Sequence, residues 1–244
     1  TEKLKNPYIL TVNSGTAALQ LALRLAAVGP EDTVVSTPMT CMATNEPILA
    51  AGAHPWWADV DPQTGNLDPA SLPEYPDGHR IKAVIVVHWG GNPVDLEAVW
   101  AWAAPRGIAV IEDAAHALGA TYRGQPVGTL LPSRYPGLRR FTCFSFQAIK
   151  HLTCIDGGLV ACQNEADQRQ GKLLRWFGID RDTPQTDFRC ETDVPHWGYK
   201  FHLHDVAAAV GRANLPHLAG IVAAHQSNAR WLDQHLTGVL PAAP

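Results

Sequence analysis

Three groups of residues in this chain carry chemistry when they occur together. Lys150 closes the run Phe144-Ser145-Phe146-Gln147-Ala148-Ile149-Lys150 and is followed by Asp156-Gly157-Gly158. A primary amine at the end of a strand, beside a turn of small residues, is well placed for Schiff-base chemistry. Asp113 closes a strongly apolar run and is followed by Ala114-Ala115-His116. A carboxylate at the end of a parallel strand stands where α/β sheets gather ligands, and it suits a protonated ring nitrogen. The third group is Asn13-Ser14-Gly15-Thr16-Ala17-Ala18-Leu19, at the start of a helical pattern. Helix N-termini offer free N–H donors and the positive end of a dipole to a phosphate.

Taken singly, each signal has a bland reading. Most lysines are solvated, an Asp after a strand commonly caps a helix, and Ser-Gly-Thr is an ordinary N-cap. The conjunction is far more specific. A phosphate cradle, a partner for a pyridine nitrogen and a Schiff-base lysine, in that order, describe a pyridoxal 5′-phosphate site. Gly15 lets backbone approach the phosphate, and Ser14, Thr16 and Ser145 add hydroxyl donors. Ala115 is small enough to lie under a flat ring and points the same way as Asp113 if the strand pleat continues. His116 reads equally well as a donor to the ring's phenolic oxygen and as a histidine at a helix start.

The elements that must position these residues alternate. Strands are predicted at 9–12, 34–37, 81–89, 108–113, 141–146 and 158–162, and helices at 15–28, 41–51 and 94–105. The β-branched run at 81–89 is what a strand covered on both faces should show. Residues 123–139 and 180–197 read as loops. Asp205 to Leu236 is helical, divided by Pro216. This pattern predicts a doubly wound α/β domain with a mostly parallel sheet flanked by helices.

Bulk properties narrow the classes. The 244 residues are 46% hydrophobic and 17% charged, an ordinary globular balance. A net charge of −4 argues against a nucleic-acid partner. No apolar run is expected to span a bilayer, and no secretory signal is seen. The five cysteines form no CxxC pair and Cys143 and Cys162 sit in apolar runs, which fits buried thiols in a reducing cytoplasm. No metal site is expected, since His202 and His204 are the nearest thing to a ligand pair.

The chain resembles the DegT/DnrJ/EryC1/StrS family of sugar aminotransferases of fold-type I. The resemblance rests on residues 13–19, Thr-Pro-Met-Thr-Cys-Met-Ala-Thr at 37–44 and Glu-Asp-Ala-Ala-His-Ala-Leu-Gly-Ala at 112–120. It continues through 144–153, Asp-Gly-Gly at 156–158 and Gly-Tyr-Lys-Phe-His at 198–202. It implies the fold-type I large domain over residues 1–215, with 216–244 a long helix leading toward a small C-terminal domain largely absent from this sequence. It implies Lys150 as the Schiff-base and acid–base lysine, Asp113 at the pyridine nitrogen, His116 near the phenolic oxygen, and Gly15, Thr16 and Ser145 at the phosphate. The implied activity is transfer of an amino group, from glutamate by family habit, to a keto sugar linked to a nucleotide. The implied assembly is a homodimer with shared sites.

Three features depart from the family pattern. Cys41 stands where an aromatic residue usually stacks on the ring. Lys200 replaces an asparagine that reaches the neighbouring subunit's phosphate. The segment 126–140 is longer and more basic than usual. Two other readings keep the same fold: a sugar dehydratase or other non-transaminating member, and a non-catalytic or regulatory member.

Overall fold

Alternating apolar runs in the sequence become a sheet covered on both faces. The computed structural model describes residues 3–74, 80–130, 134–182, 194 and 196–236. A seven-stranded sheet has the order β1 (Ile9–Val12), β9 (Gly158–Ala161), β8 (Arg140–Ser145), β5 (Ala109–Asp113), β4 (Arg80–Val87), β2 (Asp32–Ser36) and β3 (His54–Trp57). From β8 to β3 the neighbours run parallel, while β9 is antiparallel to both β8 and β1.

Successive residues of the central strands face opposite ways. Ala83 and Ile85 of β4 pack into the core beneath α1 (Gly15–Leu25) and α2 (Met42–Ala50). Val84 and Val86 pack instead with Leu96, Val99 and Trp100 of α3 (Leu96–Ala103). Val110 and Ile111 of β5 divide in the same way. Each fully buried aliphatic side chain contributes about 1.5–3 kcal/mol. Both faces are therefore dry, and β4 reads as a continuous apolar run for that reason.

Helix α1 buries Leu19, Leu21, Leu23 and Leu25. It ends at Leu25, earlier than its sequence pattern suggests, because Ala26 closes the last turn and Ala27 adopts a φ of 58°. The helix α4 (Glu165–Leu174) was not evident from the sequence. Its central Gly171 weakens helix propensity by about 1 kcal/mol. That glycine is what seats α4 on β1, since an added Cβ would lie 2.2 Å from Leu10 Cδ1.

The segment expected to be a loop at 123–139 begins with half of a small hairpin. β6 (Thr121–Tyr122) pairs with β7 (Gln125–Pro126) through Arg123 and Gly124, whose φ values are 49° and 76°. Positive φ at both turn residues is what a tight two-residue hairpin demands. The basic residues beyond it are used within the fold. Arg134 pairs with Glu97 at 3.5 Å, Arg139 pairs with Asp167, and Arg140 lies 4.7 Å over the Trp100 ring.

Pro216 does divide the final helical run. α5 (Asp205–Asn214) passes through a 3₁₀ turn at Leu215–His217 into α6 (Leu218–Leu236). Leu218 and Val222 anchor α6 on the core, and His225 meets the His151 ring edge-on at 4.9 Å. The expectation that no segment could span a bilayer needs correction. Asp205–Leu236 is long and apolar enough by length and composition, its alanine and leucine content outweighing its few charges. His204 caps α5 by accepting from Ala207 N–H at 3.2 Å, and His202 packs on Trp176. Most of the loop predicted at 180–197, including Cys190, and the tail at 239–244 lie outside the described residues.

Candidate active site

The antiparallel strand creates the site's rim. Gly158, the first residue of β9, pairs with Val12 at the end of β1 and with Ser145 at the end of β8. The exits of β1 and β8 are thus neighbours. One leads through Asn13 and Ser14 into α1, the other through Gln147 to Lys150. Two glycines allow the fit. A Cβ on Gly158 would lie 2.3 Å from Ser14 O, and one on Gly15 would lie 2.7 Å from Ser145 Cβ. The N-terminus of α1 is therefore pressed onto the end of β8.

A cavity of about 300 Å³ opens along this rim. Ser14, Gly15, Thr16, Cys41, Asp113, Ala115, His116, Ser145 and Lys150 all line it, brought together from four separate stretches of chain. Lys200 is not among the lining residues. Its backbone bridges Trp176, its carbonyl accepts from Asn13 Nδ2 at 3.5 Å, and its side chain is exposed.

Asp113 is buried and doubly held. Its Oδ1 accepts from Ala115 N–H at 3.0 Å and its Oδ2 from Thr44 Oγ1 at 2.7 Å. Thr44 gives its proton to the carboxylate, so it accepts from Thr40 Oγ1 at 2.7 Å. The strand stops at Asp113. Ala115 reaches the cavity through this side-chain turn and not by continuation of the pleat, as the sequence reading supposed.

The two serines have double roles. Ser14 Oγ accepts from Ala17 N–H at 3.0 Å as the cap of α1, and Ser145 Oγ accepts from Gln147 N–H at 3.4 Å. Each hydroxyl keeps its proton for another acceptor. Capping and ligand binding are therefore compatible, although the sequence presents them as rivals.

No helix follows Asp113, so His116 is not a helix-start residue. It lines the cavity while much of its surface meets solvent. Loss of water around its ring, then the Lys150 ammonium, pull its pKa below the ordinary 6.5, and Asp113 opposes them. Cys41 is exposed at the start of α2, while Cys143, Cys154 and Cys162 are buried free thiols. Burial pushes the Cys162 thiol up to about 12.

Sequence reasoning missed several lining residues. Thr40 and Thr44 lay in a quoted motif without a role. His88 is fully buried, its Nε2 3.1 Å from Glu112 Oε2 and its Nδ1 accepting from Val94 N–H at 3.2 Å. Trp89 follows it at the cavity wall. The signal for both was their place after β4, where parallel strands deliver ligand contacts.

The cavity fits a flat ring bearing a phosphate monoester. The volume is that of a small-molecule site. Its lining includes a buried carboxylate, Asp113, and the N-terminus of α1 with the hydroxyls of Ser14 and Thr16. Gly15 leaves space that a side chain would fill, and Lys150 lines the same cavity.

Residues 1–243 match the DegT/DnrJ/EryC1/StrS aminotransferase family. AtS13 from Actinomadura melliaura is 42% identical, with a TM-score of 0.85 over 98% of this chain and 63% of its own. The sugar aminotransferase CalS13 from Micromonospora echinospora is 37% identical, with a TM-score of 0.84 over 97% and 63%. PseC from Helicobacter pylori, an aminotransferase of pseudoaminic acid biosynthesis, is 27% identical, with a TM-score of 0.82 over 96% and 60%. This chain spans less than two thirds of the length of each. It belongs to the DegT/DnrJ/EryC1/StrS aminotransferase family, whose cofactor is pyridoxal 5′-phosphate.

Proposed function

We propose that this member of the family transfers an amino group, from glutamate, to a keto sugar carried on a nucleotide. The observation that carries the reading is the convergence of Asp113, Lys150 and the N-terminus of α1 on one cavity. Two neighbours support the substrate class: CalS13 is a sugar aminotransferase, and PseC is an aminotransferase of pseudoaminic acid biosynthesis.

In this reading the free N–H groups at the start of α1, with Ser14, Thr16 and Ser145, hold the phosphate. Asp113 accepts a charge-assisted bond from the pyridine nitrogen. Ala115 would lie against the ring, Cys41 would stand at the stacking position, and His116 would donate to the phenolic oxygen. When bound, pyridoxal phosphate supplies the electron sink for the bonding pair of the donor's α-C–H bond. Lys150 Nζ takes the proton from that α-carbon and holds it inside the cavity, away from bulk water. The apolar walls from Val87, Cys143 and Phe144 keep solvent from competing for it.

The active unit in this proposal is a cytoplasmic homodimer with shared sites, without nucleic acid or membrane as partner. Its cofactor-binding body is residues 1–215, with residues 216–244 attached. Lys200 then serves the neighbour's phosphate. Mixing Lys150→Ala with Lys200→Glu protein tests this, because one composite site would carry neither defect. Recovery of activity supports it. Heterodimers without recovery would remove Lys200 from the partner site.

The dehydratase alternative requires a histidine in the role of the lysine. His151 stands beside Lys150, but its ring packs edge-on against His225 of α6 and it does not line the cavity. That favours transamination. Borohydride reduction of the holoprotein with peptide mapping is the direct experiment. The reading expects the cofactor on Lys150, and label on another lysine would sink it.

A further inference from the structure

We infer that Trp89 is the platform on which the acceptor's sugar ring stacks, making it a specificity-determining residue of the cavity; this rests on the reading above. The cavity is graded in depth. His88 and Asp113 are 0% and 7% exposed, whereas Trp89 is 36% exposed and lines the same wall one residue beyond His88. Phe144 also lines it, but is 1% exposed and its ring is pressed toward Gly128. Trp89 is therefore the large aromatic surface open to an incoming ligand among the described lining residues.

The indole is held from behind. Gly65, with a φ of +67°, lies so close that an added Cβ would be 2.6 Å from Trp89 Cδ1. The backbone N–H of Trp89 donates to Asn66 Oδ1 at 2.9 Å, and the buried Asn66 donates through Nδ2 to Asn92 O at 3.1 Å. Gly91, with a φ of +88°, brings the next turn against His116 O, where a Cβ would sit at 2.7 Å. The turn-forming stretch Asp61–Asn66 thus acquires a purpose: it buttresses one tryptophan. A platform fixed before binding loses little rotamer freedom when a ligand arrives.

The chemistry suits a saturated sugar. An indole presents a flat apolar face for ring C–H groups and one N–H for a hydroxyl. Trp89 Nε1 has no hydrogen-bond partner among the described residues. Asp113, which would hold the cofactor's ring nitrogen, belongs to the buried part of the cavity. What meets Trp89 at the mouth is the molecule that enters last.

The test compares wild type, Trp89→Ala and Trp89→Phe holoproteins by titration calorimetry. The probes are uridine and thymidine diphosphates, each alone and each carrying glucose. Wild type should bind one sugar-bearing nucleotide more tightly than the bare nucleotide. Trp89→Ala should lose that increment, weakening the sugar form about tenfold, the order one aromatic contact supplies. Trp89→Phe should keep part of it. Bare nucleotide binding and the cofactor's absorption band should stay within about twofold of wild type. Gly65→Ala, which displaces the indole without touching the ligand, should repeat the Trp89→Ala loss. An unchanged sugar increment in Trp89→Ala overturns the inference alone. Wild-type protein that binds neither nucleotide sugar, while still holding the cofactor on Lys150, overturns the nucleotide-sugar reading and this inference with it. Should Trp89→Ala not fold, the Trp89→Phe and Gly65→Ala results decide.

Discussion

Thr44 Oγ1 donates to Asp113 Oδ2 at 2.7 Å across 69 residues of sequence. The bond ties the first turns of α2 to the end of β5 and fixes the direction of a buried carboxylate. Thr40 steadies Thr44 from the other side. Cys41, between them, is thereby held at the cavity wall.

Thr44→Val should leave Asp113 with one donor in place of two. The expected loss is about 1–3 kcal/mol of stability, the cost of a buried polar group that loses a partner. The glutamate half-reaction should also slow, because the carboxylate is freer to turn from the ring nitrogen. Thr44→Ser should restore both. Denaturant titration and stopped-flow spectra measure the two effects. A valine variant as stable and as fast as wild type would show that Thr44 does not orient Asp113.

Gly158→Ala places a methyl group 2.3 Å from Ser14 O, where backbone meets backbone and neither can swing away. Overpacking against backbone costs about 3 kcal/mol, the upper end of the usual range. For a domain of this size that lowers the melting temperature by roughly 6–12 °C. Cofactor affinity should fall as well, because the N-terminus of α1 moves off β8. A melting temperature within a degree of wild type would contradict the close approach of β9 to α1.

Cys41→Tyr tests the stacking position. Cys41 is exposed and lines the cavity, so the larger side chain has room. An aromatic contact is worth about 0.5–1.5 kcal/mol. Pyridoxal phosphate should therefore bind up to about tenfold more tightly, with the melting temperature of the apoprotein unchanged. Lower stability with unchanged affinity would remove Cys41 from the stacking role.

Acid should destabilise the fold through its histidines. Burial first, then His225, His116 and Lys150, hold the His151 pKa below 6.5. His116 and His202 are lowered as well, burial being the largest cause for each. Below about 6.5 the unfolded chain takes up protons that the folded chain refuses. Their contribution is thus complete above pH 6.5 and declines as pH falls through and below it. Melting temperatures between pH 8 and pH 5 should drop, and His151→Gln should drop less. A steeper drop in the variant would reverse the sign assigned here.

The motifs and the strand–helix alternation were legible because they depend on neighbours in sequence. The continuous β-branched run of β4 and the apolar stripe of α1 follow from local geometry alone. Helix α4 was not legible, because Gly171 lowers its propensity while serving a contact with Leu10 on a distant strand. The hairpin at 121–126 was hidden by its length, with only two residues in each strand.

The sequence by itself determined the kinds of chemistry present: an amine at 150, a carboxylate at 113, and hydroxyls at a helix start near 14. It also held the family resemblance. Only the tertiary structure decided which side chains stand beside them. Pairing of Gly158 with both Val12 and Ser145 is what brings α1 to the lysine's rim. The Thr44–Asp113 bond and the Gly65 buttress behind Trp89 join segments tens of residues apart. No local pattern encodes such contacts, because they exist only when an antiparallel strand and several crossovers have fixed the order of the sheet.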